Sequence, residues 1–128
     1  MTLTFEQVHA VNTARCRRWH EDSTAWTGAD WATALGGECG EALNIVKKLR
    51  RVECGMDPGP NDPPVSKLLE MLADEVADVF LYLDLLAWHY GIPLDIAVIR
   101  KFNVVSDRQG FPEKLPPRPA PEFVSDAR

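Results

Sequence analysis

Two pairs of acids stand out by their spacing. Glu38 and Glu41 lie within Gly37-Glu38-Cys39-Gly40-Glu41-Ala42, and Glu75 and Asp78 within Asp74-Glu75-Val76-Ala77-Asp78-Val79. Each pair is spaced i,i+3, so on a helix its two carboxylates share a face. Carboxylates about 5 Å apart repel by roughly 3 kcal/mol at an effective dielectric near 20, so four gathered acids need protons or a cation. Hard oxygen ligands without Cys or paired His suit Mg²⁺, with Mn²⁺ as a substitute, better than zinc. A metal site and an ion network between helices both account for the pattern. A solvated acidic surface is the plainer reading, and the surroundings weigh against it. No Lys or Arg occurs from Leu68 to Ile99, although Glu70, Asp74, Glu75, Asp78 and Asp84 fall there. The face opposite these acids carries Ala77, Leu81 and Trp88. A helix apolar nearly all round is normally buried, here between subunits.

Other metal and nucleotide chemistries find little support. There is no CxxC, no HExxH and no GxxxxGKS/T loop, which argues against a zinc ribbon, a zincin or a P-loop enzyme. Glu6-Gln7-Val8-His9 is an ExxH, but a di-iron carboxylate bundle needs that motif twice and it occurs once. His9 and His89 read as bundle or surface residues.

The elements that must position the acids are helices. Thr4-Phe5-Glu6-Gln7 is a capping box that starts a first helix ending near His20. A second helix is expected from about Asp30 to Val52, with Lys47, Lys48, Arg50 and Arg51 complementing the negative end of its dipole. Four prolines and two glycines between Glu53 and Val65 mark a loop. Ser66 is the expected N-cap of a third helix that stops at Gly91, and Pro93 opens a fourth that runs to about Arg108 before Gly110. The last 17 residues hold five prolines and read as an extended tail. No strand pattern occurs. Leu69, Leu72, Val76, Val79, Leu83, Leu86 and Tyr90 make a 3,4-spaced seam on the third helix, and Ala32, Leu35, Cys39, Ala42, Val46 and Leu49 make one on the second. Each acidic pair lies one position before its seam, on the flank of the expected buried stripe. Gly36, Gly37 and Gly40 cost a helix roughly 1 kcal/mol each relative to Ala, which points to close approach of another helix or of substrate there.

Composition bounds the rest. The chain has 128 residues, 14 Lys and Arg against 19 Asp and Glu, a formal charge of −5 and 45% hydrophobic residues. That is one domain's worth of folded chain and a poor general binder of nucleic acid. No apolar run approaches the 18 or so residues of a membrane span. The opening Met-Thr-Leu-Thr-Phe-Glu-Gln lacks a basic segment followed by an apolar stretch, so no secretory leader is expected. Three widely spaced cysteines suit a reducing cytoplasm, the expected compartment.

ExxE followed after a long gap by ExxD, on consecutive helices, resembles the all-α nucleoside triphosphate pyrophosphohydrolases, the MazG-like and dCTP pyrophosphatase-like group. Tyr82, Gly91-Ile92-Pro93-Leu94, Lys101-Phe102-Asn103 and Arg108 extend the resemblance, which covers about residues 5 to 112. The resemblance implies a Mg²⁺-dependent cut between the α- and β-phosphates, yielding a nucleoside monophosphate and diphosphate. Glu38, Glu41, Glu75 and Asp78 would be the metal ligands and catalytic acids, with Glu41 a candidate for positioning or deprotonating the water. A polyanionic triphosphate enters an acidic cleft only through bridging cations, which also polarise the attacked phosphorus.

Lys101 and Arg108 match basic positions of that family and are candidates for the phosphates. Lys48 continues the Glu38, Glu41, Ile45 stripe, and serves either phosphate or the helix dipole. Tyr82, one turn beyond Asp78, donates to phosphate or caps the buried stripe. Trp19 sits where the dCTP pyrophosphatase-like members stack the base, and Asn12, two turns earlier on the same face, could read a base edge. Trp26, Trp31 and His20 are alternatives, and core packing is the ordinary fate of a Trp. The chain also departs from the family. Its loop between the acidic pairs is longer than in many members, and residues 106–112 carry a small insertion. Val105 stands where an Asn often follows the Lys, with Asn103 the candidate for part of that role.

The expectation is therefore an all-α four-helix bundle of the NTP pyrophosphatase type over residues 1–112 with a Pro-rich tail over 113–128. It assembles as a homodimer or homotetramer, hydrolyses a (deoxy)nucleoside triphosphate such as dCTP, dUTP or a modified form, and engages neither membrane nor, stably, nucleic acid. The competing class is a non-enzymatic helical interaction module with a structural acidic cluster.

Overall fold

The computed structural model describes residues 2–20, 26–57 and 59–118. Those residues form four helices and no strand: α1 Phe5–Trp19, α2 Gly28–Glu53, α3 Val65–His89 and α4 Leu94–Gln109. No helix among them is long and apolar enough to cross a membrane.

The helix ends are set by local chemistry. The Thr4 hydroxyl accepts from the Gln7 amide at 3.2 Å while Gln7 Oε1 accepts from the Thr4 amide at 3.0 Å, the expected capping box. Thr27 and Asp30 form a second such box, so α2 begins at Gly28, two residues before the expected start. Ser66 does not cap α3. Pro64 holds the N-cap position, its carbonyl accepting from the Lys67 and Leu68 amides, and Ser66 falls inside the first turn. Gly91 and Gly110 take the left-handed conformation (φ 65° and 71°) that closes α3 and α4.

The chain divides into two compact units, Met1–Gly91 and Ile92–Arg128. In the first, α2 and α3 form the most extensive helix contact, and α1 packs on α3. A methyl added at Gly28 would meet the Tyr90 hydroxyl at 1.9 Å, so the start of α2 lies against the end of α3 and the pair is an antiparallel hairpin. Their loop is closed by Asp62, which accepts from the Gly59 amide at 3.0 Å and pairs with Lys48 at 3.2 Å and Arg51 at 3.8 Å. Buried Cys16, Trp31 and Leu85, with Trp26, Tyr82, Leu86 and Trp88 against them, make an aromatic core at the opposite end of the hairpin.

The expected seams are only half right. Leu72, Val79 and Leu86 on α3 and Leu35, Ala42 and Leu49 on α2 are at least partly buried, as predicted. The alternate α3 positions face out: Leu69 is 53% and Val76 56% exposed, and Leu83 and Tyr90 are exposed as well. The inward stripe runs instead through Leu68, Leu72, Glu75, Val79, Tyr82 and Leu85, and on α2 through Trp31, Leu35, Glu38, Ala42 and Ile45. Glu38 and Glu75 thus lie within the packed stripe rather than on its flank. The physical reason is that α3 is apolar on several faces, so its hydrophobicity alone does not say which face meets α2. The expected close approach at Gly36, Gly37 and Gly40 is not made by any described residue, since a methyl at each would find open space.

In the second unit, residues 111–118 run without helix or strand and are pinned along α4, while the rest of the expected extended tail, 119–128, lies outside the described residues. Asn103 Oδ1 accepts from the Leu115 amide at 2.8 Å and its Nδ2 donates to the Leu115 carbonyl at 3.0 Å, while Lys114 reaches Asp107 and Arg118 pairs with Asp95 at 3.3 Å.

Candidate functional site

Glu38, Glu41 and Glu75 converge as their i,i+3 spacing and the antiparallel hairpin require. Each offers a carboxylate oxygen, and the three oxygens lie within 4.8 Å of one another. Burial raises the Glu38 carboxyl above its ordinary value of 4.5, and the charges of Asp78 and Glu41 add to the rise. Burial likewise raises Glu75, helped by Glu41, Glu38 and Asp78 and by a side-chain hydrogen bond with Glu41. Asp78 therefore belongs to the same electrostatic cluster, at its exposed edge. No Lys or Arg pairs with any of the four among the described residues. An all-oxygen donor set with unrelieved negative charge has the chemistry of a hard divalent cation site.

The cluster is one end of a cavity of about 280 Å³. Glu38 and Asp78 line it together with Tyr82, whose hydroxyl is held protonated by burial and by those same two acids. The opposite wall is the face of α1 that carries Asn12, Arg15, Cys16 and Trp19. Buried Trp31 and Leu85 and half-buried His20 complete the lining. Trp19 is 74% exposed and stacks near His20, with ring centroids 6.4 Å apart, whereas Trp31 is buried in contact with Trp26 at 4.5 Å. Of the indoles considered from the sequence, Trp19 and Trp31 thus face the cavity, while Trp26 packs behind Trp31.

Asn12 is positioned by α3. Its Nδ2 donates to Asp84 Oδ2 at 2.9 Å and to the Leu81 carbonyl at 3.0 Å, and its Oδ1 accepts from Arg15 at 3.2 Å. Asp84, only 4% exposed, also bonds His9 Nδ1 at 2.9 Å. The sequence reading assigned no role to Arg15 or Asp84. Arg15 was legible by spacing, one turn from both Asn12 and Trp19. Asp84 was not, because an acid on a buried face looks like any other acid on a helix.

The expected phosphate groups are distributed differently. Lys48 is engaged by Asp62 of the loop, a partner that lies outside its own helix. Lys101, Asn103 and Arg108 belong to the second unit. There Lys101 borders an apolar hollow of about 690 Å³ with Val98, Phe102 and Phe111, Asn103 holds the Leu115 backbone, and Arg108 is exposed.

No protein-family model matches the chain, and no curated protein sequence matches it.

Proposed function

We propose that the protein is a Mg²⁺-dependent nucleoside triphosphate pyrophosphohydrolase, converting a (deoxy)nucleoside triphosphate and water to the monophosphate and diphosphate. The observation that carries this reading is a single cavity lined both by the exposed indole of Trp19 and by two of the four acids, Glu38 and Asp78. An exposed indole takes the flat face of a base, and an anionic cluster takes a phosphate chain only in the company of cations.

Glu38, Glu41, Glu75 and Asp78 are the residues that would hold the cation. When bound, it offsets the charge of both the quartet and the phosphates and polarises the phosphorus under attack. Glu41, exposed at the edge of the cluster, is proposed to orient or take a proton from water. Tyr82 remains protonated and donates a hydrogen bond toward phosphate.

We further propose a homodimer or homotetramer. The support is the amount of apolar surface left outside: Leu69, Val76 and Leu83 along α3, and Leu43 and Val46 on α2, are all exposed in the single chain. The test of the activity is diphosphate release from each standard triphosphate with and without Mg²⁺. Turnover that needs the cation and yields the monophosphate supports the reading. No release from any triphosphate, with no thermal stabilisation by Mg²⁺ plus nucleotide, favours the helical interaction module instead.

A further inference from the structure

We infer that Arg15 is the base-reading residue of the cavity, and that it selects a nucleobase presenting two adjacent hydrogen-bond acceptors on one edge. The inference rests on the proposed function for its ligand class, and on the geometry for its residue. Arg15 lines the same cavity as Asn12 and Trp19 and lies one helical turn from each, and the Trp19 indole, 74% exposed, is the one with a face open to a base. No carboxylate among the described residues is within ion-pairing distance of it, although Glu38 and Asp78 line the same cavity.

What orients the guanidinium is a chain of hydrogen bonds that starts in the interior. Both acceptors facing Asn12 Nδ2, the Asp84 carboxylate and the Leu81 carbonyl, lack hydrogens to give, so the amide has one allowed orientation. That turns Oδ1 toward Arg15 and fixes one of its N–H groups. The remaining N–H groups are left for a ligand, all of them donors in a planar fork. Asn12, expected from the sequence to touch the base, thereby acts through Arg15 as a positioning residue.

A fork of donors fits the N3 and O2 edge of cytosine or the O6 and N7 edge of guanine. It opposes uracil and thymine, whose N3–H lies between two carbonyls, and adenine, whose amino group adjoins both N1 and N7. A donor left facing a donor loses its partner, which is the source of the discrimination.

The test uses the α,β-imido triphosphates of cytidine, guanosine, uridine and adenosine with Mg²⁺, followed by tryptophan fluorescence, in the full-length protein and its Arg15→Gln and Arg15→Lys variants. Cytidine or guanosine is expected to bind at least about ten-fold tighter than uridine and adenosine, and the two arms tell which of them is the ligand. Arg15→Gln should abolish that preference, and Arg15→Lys, which keeps the charge and loses the fork, should abolish most of it. Thermal midpoints should be unchanged, because Arg15 is exposed. Equal weakening of all four nucleotides in both variants, or a wild-type preference for uridine or adenosine, overturns the inference. Selective cytidine or guanosine binding without hydrolysis of the ordinary triphosphate sinks the proposed reaction and leaves the base assignment standing. Hydrolysis without any base preference does the reverse.

Discussion

Glu41 on α2 and Glu75 on α3 hold carboxylate oxygens within 4.8 Å of each other, and Glu38 completes the group. Acids drawn together by the packing of two long helices oppose that packing when all are ionised. Glu75→Gln should therefore make the metal-free protein more heat-stable and at the same time remove the stabilisation by Mg²⁺. Differential scanning calorimetry with chelator and with Mg²⁺ reads both effects. A Glu75→Gln protein that still gains stability from Mg²⁺ would contradict the ligand assignment.

The pH dependence follows from the raised carboxyls of Glu38 and Glu75. A group whose pKa is higher in the fold than in the unfolded chain makes the folded state bind more protons, so stability falls as pH rises. Their contribution is least unfavourable near and below the ordinary value of 4.5, and the penalty grows as pH rises through the elevated folded values. Mg²⁺ should raise the melting temperature more at pH 8 than at pH 5, because a larger share of the raised Glu38 and Glu75 carboxyls carries a proton at the lower pH. Equal Mg²⁺ shifts at both pH values would count against it.

Catalysis by the quartet predicts a loss on neutralising either acid that lines the cavity. Glu38→Gln and Asp78→Asn should each lower Mg²⁺-dependent diphosphate release by about 100-fold or more, with near-normal helical content by circular dichroism. Full turnover in either variant would remove that residue from the site.

Asn12 ties α1 to α3 through Asp84 and Leu81. Asn12→Ala leaves a buried carboxylate and a carbonyl each short of a donor, and should destabilise the fold by about 1–3 kcal/mol in urea unfolding. The exposed Arg15 variants should not, which separates the structural part of the network from its part in recognition.

The outward α3 stripe makes a distinct prediction. Val76→Glu, on a surface open in the single chain, should shift the protein to a smaller species in analytical ultracentrifugation if a second copy covers that face. An unchanged sedimentation coefficient would place the assembly surface elsewhere or remove it.

Four helices and the i,i+3 pairing of the acids are legible in the chain because each depends on residues within one or two turns, whereas α2 starts two residues earlier than expected and Pro64, not Ser66, caps α3. Thr4 with Gln7 starts α1, Thr27 with Asp30 starts α2, and Gly91 and Gly110 end α3 and α4 wherever those segments are placed. The seam was misread by one face for the opposite reason. Leu69, Val76 and Leu83 are as hydrophobic as the residues that point inward, and only the meeting of α2 with α3 decides that Glu75 goes in and Val76 stays out. Lys48 with Asp62, Asn103 with Leu115, and Asn12 with Asp84 are likewise choices made by the tertiary structure, since each joins residues at least ten positions apart. A hydrogen bond or ion pair across such a gap depends on which backbone segments come alongside, and no local propensity carries that information.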